Sequence, residues 1–352
     1  MILVDIYGKI DPTIISEKLG IGICNPTQEW VVGLQEDFDE EYLVHKHHIK
    51  TFERSGLDTK CFEGRYNYDN IVKKLKWEET NKNCKQIIAE HLIEIQVMDF
   101  DNSLLQKKNS HLDSPTCEMQ YAKKYMNYCH HLSSSIISVK QRGHNIPCVT
   151  YDSDVFGRTP LIINYLEAHV KDKTTDIKND LKTSISSLQE IGNKIDHFIQ
   201  SENDFLLFDY IVDALTDVKQ DNDAYHVFKV MSLIEMLIIN PKNNGKTQGE
   251  IEKKLPQFLS DTIIDSSQKQ SYATLMRKFR NKIGHGDFET VSKLLEEYRD
   301  KYMKNFQYDE FEYSIDNWTY GNISLIIDDA LNNILWFMIN DKSAWDTLRN
   351  NS

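Results

Sequence analysis

Arg280-Asn281-Lys282-Ile283-Gly284-His285 sets a permanent cation, an amide and a titratable imidazole on about one and a half turns of backbone. A guanidinium stays charged at any working pH and can hold two phosphate oxygens in a bidentate fork. An imidazole, with an unperturbed pKa of about 6.5, gives or takes a proton near neutrality. Together they suit breaking a phosphodiester in RNA. There the 2′-hydroxyl attacks its own neighbouring phosphate, so the reaction asks for proton transfer and charge stabilisation and for no protein nucleophile. The products would be a 2′,3′-cyclic phosphate and a 5′-hydroxyl. In this scheme Arg280 and His285 are the catalytic pair and Asn281 orients the imidazole or the scissile phosphate. Arg277, Lys278 and Lys282 track the RNA backbone, since four of the six residues at 277–282 are cationic.

Those residues need a helix with a defined end. Tyr272, Leu275, Met276, Phe279 and Ile283 recur every three or four positions, which predicts a helix with one buried face. Gly284 is the expected stop, because glycine tolerates the left-handed conformation that ends helices. His285 then leaves the axis at the C-terminal end, where free carbonyls favour positive charge. Asp287 is the expected cap of a following helix with Phe288, Val291, Leu294, Leu295 and Tyr298 on one face. Further helices are expected near 174–200, at 204–218, around Val227, Met231, Ile234 and Ile238, and from Ile323 to Met338. Short connections between them favour an up-and-down bundle.

The arginine, polar residue, three further residues and histidine in an all-helical C-terminal half resemble the signature of HEPN-domain ribonucleases, over about residues 200–341. The resemblance implies a metal-independent endoribonuclease without a cofactor, of the abortive-infection type, serving as a toxin or anti-phage effector. It also implies a homodimer in which two such motifs face one composite cleft. Related proteins carry a glutamate in an apolar run on an earlier helix, and Ser232-Leu233-Ile234-Glu235-Met236-Leu237 fits that. Glu235 would need a partner, because an unpaired carboxylate among apolar groups is costly, and Arg280 or His285 is the expected one.

The first 165 residues mix short strand-like runs (Ile2 to Tyr7, Trp30 to Leu34, Ile146 to Tyr151) with helical ones, among them a helix opened by Ser114-Pro115. The expected organisation is therefore mixed: an α/β or α+β domain over 1–170, an amphipathic connecting helix over 171–200, and a HEPN-like helical bundle over 201–352. The first domain would bind a trigger or an inhibitor partner.

At 352 residues with 40% hydrophobic and 27% charged positions, each half can bury a core. No apolar run is long enough to cross a bilayer and no basic leader opens the chain, so a cytoplasmic protein without membrane partners is expected. The formal charge of −13 argues against a protein that coats nucleic acid, so RNA contact must be local. Six scattered cysteines without a Cys-x-x-Cys pair read as core thiols. His45, His47 and His48, and Cys129-His130-His131, lack ligands at zinc spacing. Gly245-Lys246-Thr247 lacks the upstream glycine of a phosphate loop and reads as a turn and helix start.

Two other readings compete with the nuclease. One is a non-catalytic dimerising interaction module. The other is a metal-dependent PIN-like nuclease in the first domain, with Asp5, Asp152 and Asp154 gathered at the ends of parallel strands and Asp99, Asp101 and Asp113 able to complete the cluster.

Overall fold

The computed structural model describes residues 2–7, 10–25, 92–97, 148–149, 177–218, 223–240, 247–304, 307 and 314–351, together with isolated helical positions between 47 and 55 and between 124 and 132. The chain divides into two compact units, Met1–Asp196 and His197–Ser352.

In the first unit five strands form one sheet: β1 (Ile2–Tyr7), β2 (Thr13–Ser16), β3 (Ile21–Cys24), β4 (Leu92–Val97) and β5 (Cys148–Val149), in the order β2-β3-β4-β1-β5. Every pairing is antiparallel, with Ile2 opposite both Glu94 and Val149, and Ile21 opposite Val97. β1 and β5 lie on expected runs, whereas 30–34 falls outside the described residues. β4 carries a signal that the apolar-run reading passed over: Ile93, Ile95 and Val97 alternate with Glu94 and Gln96, the period of a half-buried strand.

α1 (Ile177–Phe198) packs onto this sheet, and its apolar stripe explains how: Leu188, Ile191 and Ile195 are fully buried. Gly192 lets the helix touch β2 directly, because a Cβ there would fall 1.8 Å from the Ile15 carbonyl oxygen. One turn on, the Asp196 carboxylate accepts from Ser16 Oγ (2.5 Å) and from the backbone N–H groups of Glu17 (2.9 Å) and Lys18 (3.2 Å). The helix end thus binds the polar groups of the β2–β3 turn.

The second unit is helical throughout its described residues: α2 (Glu202–Asp217), α3 (Ala224–Ile238), α4 (Thr247–Lys254) running into a 3₁₀ turn at Leu255–Gln257, α5 (Lys269–Gly284), α6 (Phe288–Tyr302), α7 (Ile315–Asn340) and α8 (Lys342–Asn350). Side-chain caps open most of them: Ser201, Asp223, Asp287, Ser314 and Asp341 each accept the N–H three residues on. α3 is the central helix, buried along Val227, Val230, Met231, Ile234, Leu237 and Ile238 and packed against α5 and α7. Burying each such side chain stabilises by about 1.5–3 kcal/mol, so this face holds the bundle together.

Polar groups then fix how the helices meet. His226, buried in the first turn of α3, places Nε2 3.0 and 3.2 Å from the two carboxylate oxygens of Asp328 on α7. At the other end of α3, the Trp345 indole N–H donates to the Leu237 carbonyl (2.9 Å) and the Lys254 ammonium to the Ile238 carbonyl (3.3 Å), satisfying carbonyls that the helix end leaves open. α8 and the 3₁₀ turn were not legible as separate elements in the apolar periodicity.

Candidate functional site at the end of α5

Tyr272, Leu275, Met276 and Phe279 are buried, which seats α5 and leaves Arg277 and Arg280 half-buried and Lys278 exposed on its other side. α5 ends in a Schellman motif: the Asp287 N–H reaches back to the Lys282 carbonyl (2.9 Å) and the Gly286 N–H to that of Ile283 (3.0 Å). The left-handed residue that this motif requires is Gly286, with φ +70°, and not Gly284 as the sequence pattern suggested. Gly284 is the last helical residue and serves close approach. A Cβ on it would lie 2.9 Å from the Phe228 ring of α3.

That contact sets the site. The Arg280 guanidinium lies 5.8 Å from the centre of the same Phe228 ring. Its Nη2 is 3.1 Å from the Glu235 carboxylate, and Nη1 donates to the Asn281 side-chain oxygen at 3.3 Å. Arg280 is therefore the partner that Glu235 needed. Both side chains keep some water contact, at 34% and 24% exposure, while Arg280 Nε is buried with no partner among the described residues. The guanidinium is held but not saturated: two of its five donors are engaged by carboxylate and amide, and one is enclosed without an acceptor.

His285 follows as the residue that caps the helix, with its N–H on the Asn281 carbonyl (3.0 Å) and its side chain exposed. Its ring has no hydrogen-bond partner among the described residues. The side-chain oxygen of Asn281, the residue expected to orient the imidazole or a phosphate, accepts from Arg280.

The basic cluster is less available than its composition suggested. Arg277 Nε bonds Glu252 of α4 at 2.6 Å, and Lys282 bonds Asp287 at 2.8 Å. Lys278 is exposed and forms no ion pair among the described residues. Asp287 also accepts from Thr290, and together Lys282 and Thr290 hold its carboxyl down to about 2. These links brace the α5–α6 turn that presents His285.

Elsewhere the described residues contain no group of three or more metal-ligating side chains. Asp5 lies in β1, which pairs antiparallel on both sides, so the parallel strand ends that would gather carboxylates are not found among the described residues. Asp99, Asp101, Asp113, Asp152 and Asp154 fall outside them. Cys129 is fully buried and burial pushes its thiol up to about 12, as expected of a core cysteine. His47 is exposed, and its neighbours His45 and His48, like His130 and His131, fall outside the described residues. No described helix is long and apolar enough to cross a membrane.

Phe228, which supports both Arg280 and Gly284, was not among the expected site residues. The available signal was its spacing, seven residues before Glu235 and so on nearly the same face of α3. No family model, curated protein or solved structure matches this chain.

Proposed function

We propose that the second unit is a metal-independent endoribonuclease of the HEPN type, acting in the cytoplasm as a toxin or anti-phage effector and active as a homodimer. The observation that carries this reading is that one helix end bears both a restrained, partly exposed guanidinium and an exposed imidazole whose ring has no hydrogen-bond partner among the described residues. His285 moves the proton, at the attacking 2′-hydroxyl or at the departing 5′-oxygen. Arg280, held by Glu235, Asn281 and the Phe228 ring, meets the negative charge that grows on the phosphate oxygens. Glu235 keeps the guanidinium from swinging into solvent, and the exposed Lys278 offers a further cation to the RNA backbone.

Cleavage needs one group to take a proton and another to give one, and each chain brings a single such imidazole. A second copy supplies the other across a shared cleft. The first unit restrains or triggers the nuclease by binding another molecule.

The ion pair to Glu235 also favours one alternative, a non-catalytic dimerising module in which Arg280 only ties α5 to α3. Incubating the purified protein with total RNA, with and without a chelator, separates the two. Cutting that persists in chelator, leaves 2′,3′-cyclic phosphate ends and disappears in His285→Ala supports the nuclease. Intact RNA under every condition, or cutting that survives in His285→Ala, removes it.

A further inference from the structure

Two polar atoms at the junction of α3 and α5 are enclosed and unused. One is Arg280 Nε and the other is Ser232 Oγ: both are buried, and neither has a hydrogen-bond partner among the described residues. Their place follows from how Arg280 crosses to α3. Its guanidinium is fixed there at two points, with Nη2 3.1 Å from the Glu235 carboxylate and the central carbon 5.8 Å from the middle of the Phe228 ring. Phe228 and Glu235 stand about 10 Å apart along the helix axis, so the guanidinium lies over the stretch between them. Lys229-Val230-Met231-Ser232-Leu233-Ile234 make up that stretch, and Ser232 is the one side chain in it that carries an oxygen. It comes four residues after Phe228 and three before Glu235, which puts it on the face that both turn to Arg280.

The chemistry of the two atoms is complementary. A guanidinium Nε–H can only donate, whereas a serine hydroxyl also accepts. A buried donor without an acceptor is costly, and a serine inside a helix has the option of turning its hydroxyl back to the carbonyl four residues earlier, which Ser232 does not take. Glu235 and Asn281 meanwhile hold Nη2 and Nη1, the donors with which a guanidinium grips a phosphate. An arriving phosphate therefore competes with both residues. A guanidinium with no other polar hold would leave its place once they let go.

We infer that Ser232 is a positioning residue for Arg280: its hydroxyl takes the Nε–H when a phosphate draws the Nη donors away from Glu235 and Asn281. The step exchanges hydrogen-bond partners through side-chain rotation, and no covalent bond changes. Free protein and substrate complex thus use different holds on the same cation, Glu235 in the first and Ser232 in the second, with the Phe228 ring beside it in both. The inference rests on the ribonuclease reading for the identity of the anion, an RNA phosphate, but the exchange of partners is measurable without any cleavage.

The test follows the Arg280 Nε–H resonance by NMR in the full chain with isotope-labelled arginine, the signal being identified by its loss in Arg280→Lys. The probe is a fully 2′-O-methylated oligonucleotide, which cannot be cut because its 2′-oxygens are blocked. Adding it should shift the wild-type signal and slow its exchange with water, while in Ser232→Ala the signal keeps its free-protein position and exchange rate. Ser232→Ala should be as heat-stable as the wild type or more so, because it removes a hydroxyl that has no partner. It should nevertheless lower kcat/KM for RNA cleavage about tenfold, the weight of one hydrogen bond to a charged group, and Ser232→Thr, which keeps the hydroxyl, should restore it. The same shift in Ser232→Ala as in wild type would overturn the inference, and so would a wild-type signal that the oligonucleotide leaves unmoved. A clear fall in the thermal midpoint of Ser232→Ala would also overturn it, by showing the hydroxyl already bonded in the free protein. A wild type with the serine-dependent shift that leaves unmodified RNA intact keeps Ser232 and loses the nuclease. RNA cut equally fast by wild type and Ser232→Ala keeps the nuclease and loses Ser232.

Discussion

Lys254 and Arg280 both carry a positive charge to α3 and both pair with a glutamate, Glu250 of α4 and Glu235 of α3, yet the two regions are built for different ends. Lys254 is 6% exposed and Glu250 3%, and the ammonium donates to Glu250 (3.1 Å), to the Ile238 carbonyl and to the Arg349 carbonyl (3.3 Å each). All three of its donors are used, two of them on backbone oxygens near the ends of α3 and α8. Arg280 is about a third exposed, engages one carboxylate and one amide, and keeps a donor without an acceptor. A buried charge is tolerable only when its hydrogen-bonding capacity is met, whereas a charge left at the rim with capacity to spare can take a second anion. The first arrangement closes a fold and the second keeps a site open.

The comparison predicts opposite outcomes for similar truncations. His285→Ala and Arg280→Ala should lower RNA cleavage by about 10²–10⁴-fold while leaving the thermal midpoint nearly unchanged, in keeping with the usual weight of a general acid–base or an oxyanion contact. A midpoint that collapses in Arg280→Ala would make it the same kind of residue as Lys254.

Lys254→Met should instead destabilise by about 3–5 kcal/mol in urea unfolding, because it strands a buried carboxylate, and adding Glu250→Leu should recover much of that. A single variant as stable as wild type would show that water reaches this pair.

Glu235→Gln should cost about 1 kcal/mol or less of stability, since the pair is partly solvated, and lower cleavage about tenfold by loosening the guanidinium. Unchanged cleavage would mean that Phe228 and Asn281 hold Arg280 unaided.

Gly286→Ala should cost about 1–2 kcal/mol, because its φ of +70° suits only glycine without strain. Gly284→Ala should cost less, since the Phe228 ring can shift, and its effect should fall on activity through that ring. Equal midpoints for the two variants would contradict the assignment of the left-handed position.

The smallest effect concerns acid. Asp287 has its folded pKa lowered from 3.8 to about 2 by Lys282 and Thr290, so its contribution is fully present above the unfolded value and is lost as pH falls through the folded one. The α5–α6 turn should thus keep its cap at neutral pH and loosen between about pH 4 and pH 2, read as a drop in stability over that window that Asp287→Asn lacks.

Much of the second unit is legible in its sequence, for a physical reason. Helices at 224–238, 269–284, 288–302 and 315–340 each bury one face in the same core, so the period of 3.6 is written directly into Val227, Met231 and Ile234, or into Tyr272, Leu275, Met276 and Phe279. The Asp287 cap was legible because a side chain and the N–H it accepts are three residues apart. The first unit was harder. β2 and β3 have four residues each, too few for a periodic signal to stand out, and the same limit hid α8 of the second unit, which is only nine residues long.

Within the site the limit was the same. That Glu235 needed a partner followed from its apolar neighbours, and that Arg277 and Lys282 were cations was plain. Whether they were free was not, because Glu252 is 25 residues from Arg277 and its approach depends on how α4 docks. The helix end misled for a related reason. Two glycines flank His285, and either could be the left-handed one until Phe228 arrives from α3 to occupy the space beside Gly284.

Local chemistry thus determined which helices form, where they are capped, and that an arginine, an amide and an imidazole stand at one helix end. Tertiary packing decided which cations are spent on carboxylates and which remains under-satisfied. Caps and periodicity act over a few residues of backbone, whereas pairing and exposure depend on atoms brought together from distant parts of the chain.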